Sequence, residues 1–380
     1  MAKSSVITTA TLIGEDPDYL SRQVITYIGN KRNLLGFIGS GLEKVRRRLG
    51  KTSLTTFDVF SGSGIVARFL KGYSEKLIAN DLEKYSEVIN RCYLANRSSV
   101  PMENLKQLHR GLVDALREDK LTDGFIRELY APRDDKNIRA GERVFYTVRN
   151  ARYIDTARQL IGELPKEYQH FFLASLLSEA SIHANTSGVF KGFYKDRHTG
   201  IGKFGGRKGD ALSRITGNAT LPFPVFSPYE CSVEIHRRDA CELAEEMGTS
   251  GEVDAAYLDP PYNQHPYGSN YFMLNLITDY RRPENISPVS GIPENWNRSD
   301  YNSRSRAKKA LRRLVDKIPA KFLLISFNSE GFIDTGEMLS LLECAGKVEV
   351  LETRYNTFRG SRNLRNREIH VKEYLYLLEK

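Results

Sequence analysis

The sequence predicts an α/β fold, a mostly parallel sheet of seven strands interrupted by a largely helical insertion. Three observations carry this expectation. Short apolar runs recur along the chain and end in polar or glycine turns, as strands buried on both faces do. The first of them, Thr55 to Phe60, runs into Ser61-Gly62-Ser63-Gly64 and then an apolar helical stretch, the opening unit of a nucleotide-binding sheet. The rhythm breaks from about residue 96 to 225, where helical periodicity takes over, and resumes near Cys231.

Taken in order, residues 1–20 read as an N-terminal tail, polar and acidic, without the apolar core of a signal peptide. Tyr27-Ile28-Gly29-Asn30-Lys31 is a loop entering a helix whose apolar face is Leu34, Leu35, Ile38, Leu42 and Val45. Lys31 stands where the helix dipole disfavours a cation, so it is expected to meet a carboxylate or phosphate. Phe60 closes the first strand, and Gly62 and Gly64 allow close approach of backbone to a ligand. Position 67 is Ala67 and no third glycine follows, which favours an adenosine-type site over a dinucleotide site. A second strand, Lys76 to Ala79, ends in Asn80-Asp81. That acid is placed either to hold ribose hydroxyls or to cap the helix from Leu82.

The insertion shows helical periodicity over Leu105 to Leu116, Ala157 to Leu164 and Phe171 to Ile182. Asn185 to Lys208 then interleaves glycines, aromatics and basic residues. Lys191, Lys195, Lys203, Arg207 and Lys208 are the candidates for contacts to a nucleic-acid backbone. The sheet resumes with Ser232 to His236, and Asp239 follows at the strand end. Val253 to Leu258 is a buried strand that delivers Asp259-Pro260-Pro261-Tyr262 to its carboxyl end. The prolines stop the strand. Asp259 and the Pro260 carbonyl can accept the two protons of an amino group, and Tyr262 can stack on the ring that carries it. A turn with a capping Asp and a packing Tyr would explain those four residues alone equally well. Arg281 to Ser305 reads as a long exposed loop, Ala307 to Ile318 as a helix with a basic face, and Phe322 to Phe327 as a strand. Val348 to Arg354 and Val371 to Leu378 close the sheet, flanking an arginine-rich loop that holds Arg359 and Arg362.

The 380 residues are 40% hydrophobic and 27% charged, as in globular proteins, and no run approaches the roughly 18 apolar residues of a membrane span. A cytoplasmic location is the expectation. The net charge of +9 favours a polyanionic partner, and the basic residues cluster at 191–214, 304–313 and 354–372. Four cysteines and seven histidines show no metal-ligand spacing, so no metal is implied.

Together these segments resemble the alpha-group, Dam-like adenine-N6 DNA methyltransferases of the restriction-modification type. Tyr27-x-Gly29-x-Lys31, Phe60-Ser61-Gly62-Ser63-Gly64, Asn80-Asp81, Asp239 and Asp259 to Tyr262 match that family's motifs in its own order. Leu324 to Asn328, Tyr355-Asn356-Thr357-x-Arg359-Gly360 and Lys372-Glu373-Tyr374-Leu375 resemble its later strand and closing hairpin. Two departures stand out: Tyr27 replaces a common Trp, and the insertion is longer than in the Dam enzymes.

The resemblance implies a Rossmann-like methyltransferase sheet, S-adenosylmethionine as cofactor and double-stranded DNA as partner. It divides the chain into a first catalytic part, 21–95, a target-recognition insertion, 96–225, and a second catalytic part, 226–380. Tyr27, Gly29, Lys31, Phe60, Gly62, Gly64, Asp81, Asp239 and Asp259 would hold the cofactor, with Tyr27 and Lys31 closing over it. Asp259, Pro260 and Tyr262 would act on a flipped-out adenine. The expected form is a monomer, paired with a restriction endonuclease on a separate chain, since no nuclease motif is evident. An RNA adenine methyltransferase, or a DNA-binding regulator with a vestigial cofactor site, is the alternative.

Overall fold

The apolar runs pair into one sheet: β1 (Leu54–Asp58), β2 (Ser74–Asn80), β3 (Ser232–His236), β4 (Val253–Leu258), β5 (Ala320–Asn328), β6 (Lys347–Asn356) and β7 (His370–Glu379). This computed structural model describes residues 14–206, 208–248, 253–328, 331–356 and 370–380. The strand order is β3-β2-β1-β4-β5-β7-β6. All neighbours are parallel except β7, which runs antiparallel to both β5 and β6. This is the Rossmann-like arrangement that the sequence predicts, with β3 and β4 over the predicted spans and the other strands extended or trimmed by a residue or two.

Alternation along the strands explains why the runs are apolar throughout. On β5, Phe322 and Leu324 join the core on one face while Leu323 and Ile325 join the core on the other. Burying both faces makes each such side chain worth about 1.5–3 kcal/mol. The first core also contains Ile154, Leu176 and Leu177, from helices Val148–Glu163 and Lys166–Ile182. Residues 96–225 therefore pack their apolar faces into the same core as one face of the sheet. Helix Leu35–Leu49 lies close on that face because Gly41 leaves room: a Cβ there would sit 2.8 Å from Leu375 and 3.0 Å from Leu324.

Strand order reverses between β1 and β4, which creates a crevice beyond their carboxyl ends. Asn80 ties this edge together. Its Nδ2 donates to the carbonyls of Val59 and Arg238, and its Oδ1 accepts from the Arg238 amide. The ends of β1, β2 and β3 are thus fixed by one side chain.

Two expectations are corrected. The segment read as a tail to residue 20 is, from Gly14 on, packed against the domain. Helix Pro17–Ser21 buries Tyr19 completely, with its hydroxyl donating to the Tyr93 carbonyl and its ring beside Arg68. The stretch 281–305 is not simply an exposed loop. Tyr130 Oη donates to the Gly291 carbonyl, Arg143 to the carbonyls of Ser287 and Pro288, and Asn302 Nδ2 to the Asn263 carbonyl. Its composition is that of a loop, but Tyr130 and Arg143 clamp its backbone down and its own Asn302 side chain anchors to the Asn263 carbonyl.

Candidate active site

The apolar run of β4 ends at Leu258, and Asp259 emerges at the crevice. Lys31 Nζ approaches Asp259 Oδ1 to 3.0 Å and Glu373 Oε1 to 3.3 Å, with its own side chain 5% exposed. Burial lowers the proton affinity of Lys31, but the two carboxylates outweigh it and raise the pKa well above the ordinary lysine value. Burial pushes Asp259 up to about 6, Lys31 pulls against that shift, and Glu373 adds to it. The carboxylate that Lys31 is expected to meet is therefore supplied by the protein itself, twice over. Tyr262 lies edge-on to Phe327 at 5.7 Å, and the Lys31 ammonium stands 5.8 Å from its ring centroid. Pro260 is buried, and among the described residues no backbone donor reaches its carbonyl.

From Asp259 a cleft, partly open to solvent, runs back past Gly62 to Asp81 and Asp239. Asp81 holds the glycine turn: its Oδ2 accepts from the Gly62 amide at 2.7 Å and its Oδ1 from the Glu83 amide at 2.9 Å. Burial raises its pKa, and those amides offset part of the cost. Asp239 lines the cleft and also caps helix Ala240–Met247, accepting from the amides of Cys241 and Glu242. Asp239 therefore faces the cleft and caps a helix at once. Phe60 and Tyr301 meet edge to face at 5.2 Å in the same wall.

The glycines also make room within the protein itself. A Cβ on Gly62 would lie 2.7 Å from Tyr27 Cε1, so the missing side chain makes room for a tyrosine of the protein itself. Tyr27 in turn stacks with Tyr267 at 5.0 Å and Tyr271 at 4.7 Å, and its hydroxyl lies 3.2 Å from that of Tyr85. It lines the cleft as part of a tyrosine cluster rather than as a free lid. A Cβ on Gly64 would meet Asn90 Oδ1 at 2.8 Å, and one on Gly29 would sit 3.5 Å from the hydroxyls of Tyr262 and Tyr267.

Several cleft residues were not singled out from sequence. Glu83 is buried, its carboxylate accepting from Asn275 Nδ2 at 2.5 Å and Asn297 Nδ2 at 3.2 Å, and burial raises it to about 7. Asn297, Ser299, Tyr301 and Asn302 come from the stretch mistaken for an exposed loop. Asp58 ends β1 fully buried, and neither carboxylate oxygen has a well-formed hydrogen bond. Burial, with Asp259 and Asp81 nearby, raises it well above the carboxylate range. An acid inside an apolar strand was the available signal for Asp58, and again for Glu373 on β7.

The insertion reaches the same mouth. The Phe190 amide donates to the Asn270 carbonyl at 2.7 Å, and Gly188 approaches Thr26 just before Tyr27. Fully buried Asn185 organises the loop, donating to the carbonyls of Val144 and Lys203 and accepting from the Gly205 amide. Lys191 and Lys195 are exposed on it, Lys195 over the Phe193 ring, while Lys203 is half-buried and Lys208 exposed. Arg207, Arg359 and Arg362 lie outside the described residues. The second basic stretch, 304–313, is largely neutralised: Arg306, Lys308, Arg312 and Arg313 pair with Asp300, Glu337, Asp316 and Glu245. Among the described residues no group of three His, Cys, Asp or Glu could hold a metal ion, and no helix is long and apolar enough to cross a membrane.

A family profile described as D12 class N6 adenine-specific DNA methyltransferase matches residues 27–203 and 233–325. The chain is 29% identical over 367 residues to the Type II methyltransferase M.NlaIII of Neisseria lactamica, covering 94% of this chain and 99% of that protein. It is 31% identical over 362 residues to the Type II methyltransferase M.CviAII of Paramecium bursaria Chlorella virus 1, covering 93% and 98%. The Type II methyltransferase M.FokI of Planomicrobium okeanokoites is 27% identical over 93% of this chain but only 52% of its own length.

Proposed function

This chain belongs to the D12 class N6 adenine-specific DNA methyltransferases, enzymes that methylate DNA sequence-specifically, and from that premise we propose the substrate atom, the cofactor and the residue roles. The enzyme transfers a methyl group from S-adenosylmethionine to N6 of an adenine flipped out of duplex DNA. One observation supports this most: a single cleft runs from Asp81 and Asp239, suited to an adenosine, to Asp259, suited to an amine.

The residues present fit the cofactor. Asp81 offers a carboxylate to ribose hydroxyls, and Phe60 and Tyr301 offer an aromatic wall to a purine. When bound, S-adenosylmethionine supplies a methyl group on a positively charged sulfur.

The rest falls to the protein. Extrusion of the base is required because a paired N6 cannot enter the cleft. Tyr262 stacks on the extruded ring. Asp259 and the Pro260 carbonyl accept the two N6 protons, which turns the nitrogen lone pair toward the methyl group and stabilises the positive charge developing on nitrogen. Lys31 holds Asp259 through Oδ1 at 3.0 Å, which fixes the carboxylate while Oδ2 faces the substrate amine. Lys191, Lys195, Lys203 and Lys208, with Arg207, Arg359 and Arg362, supply contacts to DNA phosphates, and residues 96–225 select the target sequence. The enzyme works as a monomer and protects DNA against a restriction endonuclease carried on another chain.

The decisive experiment is expression in a host lacking adenine methylation, followed by genome-wide mapping of N6-methyladenine. Methylation at one recurring sequence is expected, and random or absent methylation overturns the proposal. In parallel, Asp259→Ala should reduce transfer by ~10²–10⁴-fold while binding S-adenosylmethionine with little change.

A further inference from the structure

Among the described residues three charges meet at the crevice, Lys31 and Glu373 buried and Asp259 partly exposed, and their sum is not zero. Lys31 faces both Asp259 and Glu373, so one ammonium serves two carboxylates. Glu373 is 3% exposed, sits opposite Asn328 in the β5–β7 pairing, and accepts a hydrogen bond from Ser326 Oγ at 3.0 Å. The cluster thus joins the N-terminal loop, β4, β5 and β7. A one-to-one pair of Lys31 with Asp259 would satisfy the charges, and an apolar residue at position 373 would serve stability better, since burying an extra ion is unfavourable. Nor does Glu373 cap a helix or close a turn. Its position in the sheet does not explain its charge.

Its effect on Asp259 does. Lys31 alone would hold the Asp259 carboxylate in place but would also draw off its electron density, making it a poorer acceptor for an amine. A second carboxylate on the far side of the ammonium divides that attraction. Resting on the methyl-transfer reading above, we propose that Glu373 is a positioning residue that shares the Lys31 ammonium, so that Lys31 orients Asp259 without weakening it as the acceptor of the target amine. Among the described residues, the groups facing Asp259 are Lys31, Glu373, Asp58, Tyr257, Tyr262 and Tyr267. Lys31 is the one cation among them, and Glu373 is the acid that Lys31 contacts together with Asp259.

The test compares Glu373→Gln and Lys31→Met with the wild type, measuring kcat against pH and affinity for S-adenosylmethionine. Both variants should lose on the order of 10²-fold in kcat, the effect of misplacing a reacting group. Their acid limbs should move in opposite directions: Glu373→Gln removes a like charge and shifts the limb to lower pH, whereas Lys31→Met removes the counter-charge and shifts it to higher pH. A loosened site would admit water in both variants and move both limbs the same way, so that outcome refutes the proposal. Glu373→Asp, which keeps the charge, should recover most of kcat, and Ser326→Ala should lose a smaller part of it. An active wild type with an unmoved limb in Glu373→Gln overturns the role of Glu373 alone. An inactive wild type overturns the methyl-transfer reading instead.

Discussion

Replacing Gly62 by Ala should destabilise the protein by about 2–3 kcal/mol, from a conformational and a steric term. Gly62 has φ +51°, in the left-handed region, where a side chain adds about 1–2 kcal/mol. The new Cβ would also stand 2.7–3.0 Å from Cε1, Oη and Cζ of Tyr27. That ring has little room to retreat, being stacked against Tyr267 and Tyr271 with its hydroxyl at Tyr85. Displacing it forfeits one or two aromatic contacts of about 0.5–1.5 kcal/mol each. The assay is urea unfolding followed through Trp296, the sole tryptophan, in wild-type and Tyr27→Ala backgrounds. Without the ring, Gly62→Ala should cost only the conformational term, leaving a coupling of roughly 1 kcal/mol or more between the two positions. Equal costs in the two backgrounds would refute the assignment of this gap to Tyr27. A loss of cofactor affinity without any loss of stability would return the glycine to its expected role, clearance for a ligand.

Other consequences concern protonation and the clamped 281–305 stretch. Methyl transfer needs Asp259 ionised, so kcat should fall as pH drops through about 6 and level off above it; a flat profile between pH 5 and 8 would exclude Asp259 as the acceptor. Glu83, raised from 4.5 to about 7, makes the folded state progressively less stable as pH rises from 4.5 through 7. Glu83→Gln should therefore raise stability by about 1–3 kcal/mol at pH 8 and give almost no gain at pH 4.5, measured by urea unfolding at both values. Asn297→Ala removes the bonds from Asn297 Nδ2 to the Leu82 carbonyl and Glu83, and should weaken S-adenosylmethionine binding by ~5–10-fold in calorimetry. Unchanged affinity would show that these bonds do not shape the cofactor cleft.

Much of the fold was legible because its determinants are local. Ser232–His236 and Val253–Leu258 form strands over the spans that their apolar and β-branched content predicts. The Asp-Pro-Pro-Tyr turn follows β4 because proline cannot donate to a ladder. Tyr19 and the 281–305 stretch were misjudged for the opposite reason. Tyr19 is buried by residues 68 and 93, and the stretch is held by side chains at 130 and 143 and by the backbone carbonyl at 263, none of them near in sequence. Periodicity reports a segment's own faces and carries nothing about a distant side chain that reaches its backbone carbonyls.

The sequence by itself determined which strand ends carry chemical groups. A buried strand must stop where its backbone meets proline or glycine, and the polar residues that follow emerge together at one edge of a parallel sheet. Asp81, Asp239 and Asp259 were found that way. Only the tertiary structure decided what those groups meet. Strand order sets β7 beside β5, and with it Glu373 beside the Lys31 that also holds Asp259. Gly62 receives the Tyr27 ring for the same reason, through a contact between segments that no local rule connects. Charge pairing and close packing act through space over a few ångströms, so their partners are fixed only once the sheet is assembled.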